Sequence, residues 1–152
     1  MIGLDVDGKG IGRRVAETAR AYGVDNLNVS FLTPLPGTRL WTEMRDEGRI
    51  PLDRFPDDWK YYTLTYPAAR YKGLSLDEVI DEMTTCNRRF YSWPRLAGRL
   101  ARSVFFRRTP LINLVTNMSS RRNSRLLALA YADFMRAQGE RFLRVPRPPV
   151  IA

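Results

Sequence analysis

The stretch FLTPLPGTRLW, residues 31–41, decides how the first third of the chain is read. An apolar run ends at Pro34, a residue that cannot donate to a central ladder. Pro36 and Gly37 suit the two inner positions of a type II turn, since proline presets a negative φ and glycine accepts the positive φ that follows. Thr38 is a good N-cap for a helix predicted over 39–47, with Leu40, Trp41 and Met44 on one side and Gly48 at its end.

Upstream, NLNVSFLTP (26–34) reads as a strand and MIGLDVD (1–7) as another. Between them Gly8, Gly10 and Gly12 lead into IGRRVAETARAYG, where Ile11, Val15, Ala19 and Tyr22 recur at helical spacing before Gly23. Strand, helix, strand with short connections is the βαβ unit of a parallel sheet. Downstream, residues 49–73 are long and irregular, crowded by Trp59, Tyr61, Tyr62, Tyr66 and Tyr71. A lid or substrate wall over 55–71 is one reading of this loop, and aromatic packing between the two halves is the better one.

From Ser75 the pattern is helical. Ser75 and Glu78 form a capping box, opening a helix expected to reach Trp93 with Leu76, Val79, Ile80, Met83 and Phe90 as its buried stripe. Pro94 can start the next, with Leu96, Leu100, Val104 and Phe105 inward and Arg95, Arg99 and Arg102 outward. Thr109-Pro110 opens a shorter helix. A last one over 120–138 closes at Gly139, with Leu126, Leu127, Ala130, Phe134 and Met135 inside. The chain finishes in the Pro-rich RVPRPPVIA.

Composition narrows the chemistry. The 152 residues are enough for one ordinary domain, and no apolar run reaches the length of a membrane span or forms a signal peptide. A cytoplasmic, non-transmembrane protein is expected. There is one cysteine, Cys86, and no histidine. That removes an internal disulfide, the commonest metal ligand and every His-based nucleophile arrangement. Cys86 stands among apolar residues and reads as a small core residue. The net charge of +9 is uneven: residues 88–152 carry 14 arginines against 2 acidic residues, whereas residues 1–87 carry 11 Lys and Arg against 14 acidic residues. A basic half of this kind can attract nucleic acid or an anionic lipid surface.

Three motifs in DVDGKGIG (5–12) fail on spacing. The glycines run G-x-G-x-G rather than G-x-G-x-x-G, the calcium-loop positions after Asp5 reach Lys9 and Ala16, and no Ser or Thr follows Lys9. A strand-to-helix turn is the better reading. A helix-turn-helix over 110–138 is a weak alternative for the basic half.

The order of the short motifs resembles one family. Leu32-Thr33-Pro34, Pro36-Gly37-Thr38, Leu40, Gly48-Arg49-Ile50, Asp58-Trp59, Ser75 and Phe90-Tyr91-Ser92 look like the C-terminal part of cobalamin-binding-type radical S-adenosylmethionine (SAM) enzymes. Met1-Ile2-Gly3-Leu4-Asp5 looks like the end of the fifth core strand, which borders the SAM adenine there. The resemblance covers residues 1–93. It implies an α/β part followed by a mostly α part: the last two strand–helix units of a partial parallel, TIM-like barrel over 1–50, an aromatic-rich loop over 51–74, a helical domain over 75–139 and a tail over 140–152. It places Gly3, Leu4, Leu32, Thr33 and Pro34 beside SAM and implies SAM, a [4Fe–4S] cluster and cobalamin as cofactors of the parent enzyme. The family's C-x-x-x-C-x-x-C loop is absent, and one thiolate cannot hold such a cluster. No cofactor is therefore expected on this chain alone, and the expected partner is the cluster-bearing catalytic half, in cis or in trans. The alternative reading is a small basic helical module for nucleic acid or an anionic membrane surface.

Overall fold

The computed structural model describes residues 1–105 and 110–143; the Pro-rich stretch 144–152 lies outside the described residues. Five α-helices follow in order: α1 (Ile11–Ala21), α2 (Arg39–Asp46), α3 (Leu76–Phe90), α4 (Trp93–Phe105) and α5 (Pro110–Leu143), with a single 3-10 turn at Trp59–Tyr61. α1 packs on α3, and α3 and α4 both pack on α5.

The expected α/β part is not formed, and with it the partial barrel is overturned. Among the described residues there is no sheet, only one isolated parallel bridge between Ile2 and Phe31. The reason lies in who takes the next polar groups. Ile2 gives its amide to Ser30 O at 2.9 Å and accepts from Leu32 N at 2.8 Å. Beyond that, the Asp7 carboxylate takes the amides of Gly3 and Leu4, each at 2.9 Å. Tyr71 Oη donates to Leu32 O at 3.0 Å, and the Phe31 amide goes to Leu64 O. Side chains outcompete the ladder, and pairing stops after one register step.

The turn at 35–38 forms as expected. Thr38 N donates to Leu35 O, Gly37 sits at φ 83°, and Thr38 Oγ1 accepts from Trp41 N at 3.2 Å to cap α2. The capping box of α3 also forms, Ser75 N to Glu78 Oε2 at 2.8 Å and Glu78 N to Ser75 Oγ at 3.3 Å. α3 ends at Phe90, earlier than expected, and α4 starts at Trp93.

Two helical expectations are corrected. The short helix from Pro110, the separate helix over 120–138 and the turn between them are one continuous helix running through Gly139 to Leu143. Its last turn is held from outside. Phe142 is buried against Leu52 and Phe134, Arg141 grips Asp58 at 2.7 and 2.8 Å, and Arg70 donates to Arg141 O at 3.0 Å. These contacts outweigh the cost of a mid-helix glycine, about 1 kcal/mol. In α4 the faces are rotated: Leu96, Arg99 and Ser103 are buried, whereas Val104 and Phe105 are exposed. Arg99 is drawn inward because Asn117 Oδ1, Phe90 O and the Phe90 ring all receive it.

The main core joins both halves of the chain: Ile2, Ala16, Phe31, Tyr71, Val79, Met83, Cys86, Phe90, Tyr91 and Tyr131. The aromatic loop is a strap on α5 rather than a free lid. Tyr61 and Tyr66 meet edge-on at 5.5 Å, and both pack on Phe134, at 5.1 and 5.4 Å.

Candidate functional site

Of the five residues expected beside SAM, Gly3 and Leu32 directly follow the two bridged residues, Ile2 and Phe31, and Leu4, Thr33 and Pro34 come next along the chain. Tyr71 stands over the junction; a Cβ on Gly3 would come within 2.5 Å of its ring. Burial pushes the Tyr71 hydroxyl far above its ordinary pKa, so it stays a donor to Leu32 O. Thr33 and Pro34 are buried, while Leu4 is exposed. Thr33 Oγ1 turns back to Phe31 O at 3.3 Å.

These contacts limit what the junction can do. An adenine edge needs free backbone donors and acceptors, and here the Gly3 and Leu4 amides and the Leu32 carbonyl already have internal partners. Their polar groups hold the fold together. Behind them lies a charged network at the surface. Arg49, buried itself, donates to Asp5 at 2.8 Å, to Glu47 at 3.0 Å and to Arg70 O at 2.9 Å, and Lys72 meets Asp5 at 3.1 Å. Partial burial acts to raise the Asp5 pKa, but hydrogen bonds from Arg49 and Lys72 outweigh it and hold the carboxyl below its usual value.

The glycine-rich turn has a role that spacing alone did not reveal. Glu82, buried on α3, takes the amide of Gly10 at 2.6 Å and that of Gly12 at 2.8 Å. An anion at this helix N-terminus is expected from the orphan amides and the dipole, and the protein supplies its own. A Cβ on Gly12 would meet Glu82 O at 2.0 Å, so the glycine lets α1 lie directly on α3. The signal was present in the sequence: Glu82 shares a helical face with Val79, Met83 and Cys86.

The iron–sulfur cluster does not fit this chain. Its one thiol, Cys86, is wholly buried in the core, and burial pushes it up to about 11. No group of three or more His, Cys, Asp or Glu residues able to hold a metal occurs among the described residues. No helix among them is long and apolar enough to cross a membrane.

A second group of side chains, missed by the sequence reading, is built around Arg99. Its Nε and Nη2 donate to Asn117 Oδ1 at 3.1 and 2.7 Å, its Nη1 to Phe90 O at 3.0 Å, and its plane lies 4.3 Å from the Phe90 ring centre. Arg121 stacks on Trp93 at 4.7 Å beside it. No family model, curated protein or solved structure matches this chain.

Proposed function

We propose that the chain is a non-catalytic C-terminal portion of a cobalamin-type radical SAM protein, a helical unit that completes a cluster-bearing polypeptide without performing the radical step itself. The observation that supports this best is where the resembling residues sit. Thr33 and Pro34 are buried, Thr38 caps α2, and Arg49 knits residues 5, 47 and 70. Asp58 is buried, takes Arg54 N at 2.9 Å and clamps Arg141. Ser75 caps α3, and Tyr91 Oη donates to Leu27 O at 2.7 Å. Seven of the resembling residues are thus buried or hydrogen-bonded within the fold, which supports reading them as structural rather than catalytic.

The test is association. The chain, mixed with a radical SAM polypeptide that carries C-x-x-x-C-x-x-C and comes from the same genome, is expected to co-elute with it in size-exclusion chromatography. Independent elution at micromolar concentrations of both would overturn the proposal.

A second reading, a basic helical module for an anionic membrane surface, is favoured by one observation. The arginine-rich helices α4 and α5, packed on each other, expose Trp93, Val104, Phe105, Leu111, Ile112 and Val115. Apolar side chains mixed with arginines on exposed helices suit a lipid interface. Sedimentation with vesicles containing phosphatidylglycerol, weakened by Phe105→Ser together with Ile112→Ser, would support it. Equal sedimentation with neutral vesicles would exclude the charge-dependent form.

A further inference from the structure

Four arginines from two helices meet around one cavity. Arg20 comes from the last turn of α1, and Arg95, Arg99 and Arg102 stand on one face of α4. With Val24, Ser92, Pro94 and Gly98 they line a cavity of about 610 Å³, and no carboxylate is among its described lining residues. Arg95 and Arg102 both act on Arg99 as like charges, while Asp25 acts on it as an opposite one.

The four are not equivalent. Arg99 is fixed by Asn117 and Phe90, which use three of its five N–H groups. Arg102 lies over Gly23, its Nη1 3.3 Å from where a Cβ would stand. Arg95 Nη1 is buried with no hydrogen-bond partner among the described residues. Arg20 and Arg102 stand near the C-terminal end of α1, where the helix dipole favours cations. That accounts for two of them. It leaves the orphaned donor of Arg95 without a purpose, and it leaves like charges gathered around an open space. The start of α4, with Ser92 and Pro94 at the cavity wall, adds the positive end of a second helix.

We propose that this cavity binds a phosphate group, carried by a phosphomonoester or a pyrophosphate, with Arg95 and Arg102 as direct donors and Arg99 held in place by Asn117. Planar guanidinium groups match phosphate oxygens in pairs, and a doubly charged anion relieves the repulsion among them. The arginines converge on one cavity rather than along an open track, which suits a discrete phosphate better than a nucleic acid backbone. The phosphate can belong to a soluble ester or to a lipid headgroup. The inference does not rest on the radical SAM reading.

Pyrophosphate titrated into the full chain at low salt, followed by calorimetry, tests it. One-site binding is expected, weakened about tenfold or more in Arg95→Ala and in Arg102→Ala. It should be unchanged in Arg136→Ala, an exposed arginine of α5 paired with Asp133. Both cavity variants keep the Arg99 contacts, and circular dichroism checks that they fold. Phosphatidylcholine vesicles containing phosphatidic acid form the second arm. Vesicle binding that is lost in the same variants and competed by pyrophosphate assigns the phosphate to a headgroup, whereas pyrophosphate binding alone assigns it to a soluble ester. The proposal is overturned if neither probe binds, if binding ignores Arg95→Ala and Arg102→Ala, or if single-stranded DNA displaces pyrophosphate at lower concentration.

Discussion

The Glu82 carboxylate lies between α1 and α3 and takes two amide hydrogens, from Gly10 and Gly12. Glu82→Gln keeps the shape but leaves one of those amides facing an NH₂ group. Charge-assisted bonds of this kind are worth about 1.5–3 kcal/mol, and urea unfolding should report a loss in that range. Asp58 gives a pH signature. The hydrogen bond from Arg141, ahead of the opposing effect of burial, holds the Asp58 pKa below its ordinary 3.8. A depressed folded pKa contributes stability that is present above the ordinary value and lost as pH falls through the folded one. Urea midpoints should therefore fall as the pH drops below about 4. Asp58→Asn should start lower at neutral pH and show a shallower decline over that window. Glu78 is held to about 2, first by its hydrogen bond with the Ser75 backbone, and adds to the same acid limb. Ser75, Glu78 and Thr38 were legible from the sequence because capping is local. The partners of Glu82, Arg49 and Asp58 were not, because most of them lie tens of residues away, although the place of Glu82 on the apolar face of α3 was visible.

Among the helices, α5 carries the clearest test. Gly139 is helical, and a Cβ there would meet nothing within 4 Å. Gly139→Ala is therefore expected to raise stability by about 1 kcal/mol, read as a higher urea midpoint at unchanged slope. A destabilised variant would mean that the helix does not pass through this position. The sequence pattern broke α5 at Gly139 because a glycine after an apolar stripe is the usual sign of a helix end. Contacts at Arg141 and Phe142 overrule that local sign. α4 misled in another way. Its apolar positions Val104 and Phe105 were placed inward by periodicity, yet Arg99 takes the buried face. Periodicity counts apolar residues and cannot see that Asn117 and the Phe90 carbonyl await a guanidinium. Arg99→Leu should accordingly destabilise by about 2–4 kcal/mol despite being more apolar, because Asn117 and Phe90 O are left buried without donors.

Across the entire chain, the two strand-like segments show how far pattern reading carried. It brought MIGLD and NVSFL side by side and parallel, and the Ile2–Phe31 bridge has that sense. It did not foresee that Asp7 and Tyr71 would take the neighbouring polar groups and leave no sheet among the described residues. The arginine cavity was not legible, because it depends on Arg20 and the arginines of α4 lining one space, which no local pattern encodes. The central claim is that this chain completes a radical SAM protein and supplies none of its radical chemistry. Its most direct measurement is reductive cleavage of SAM, read as 5′-deoxyadenosine, after reconstitution with iron and sulfide. The account predicts no product from the chain alone, because its only thiol is buried, and more product from a cluster-bearing partner with the chain than without it. Product from the chain alone, or a partner whose yield is indifferent to its presence, would contradict the account.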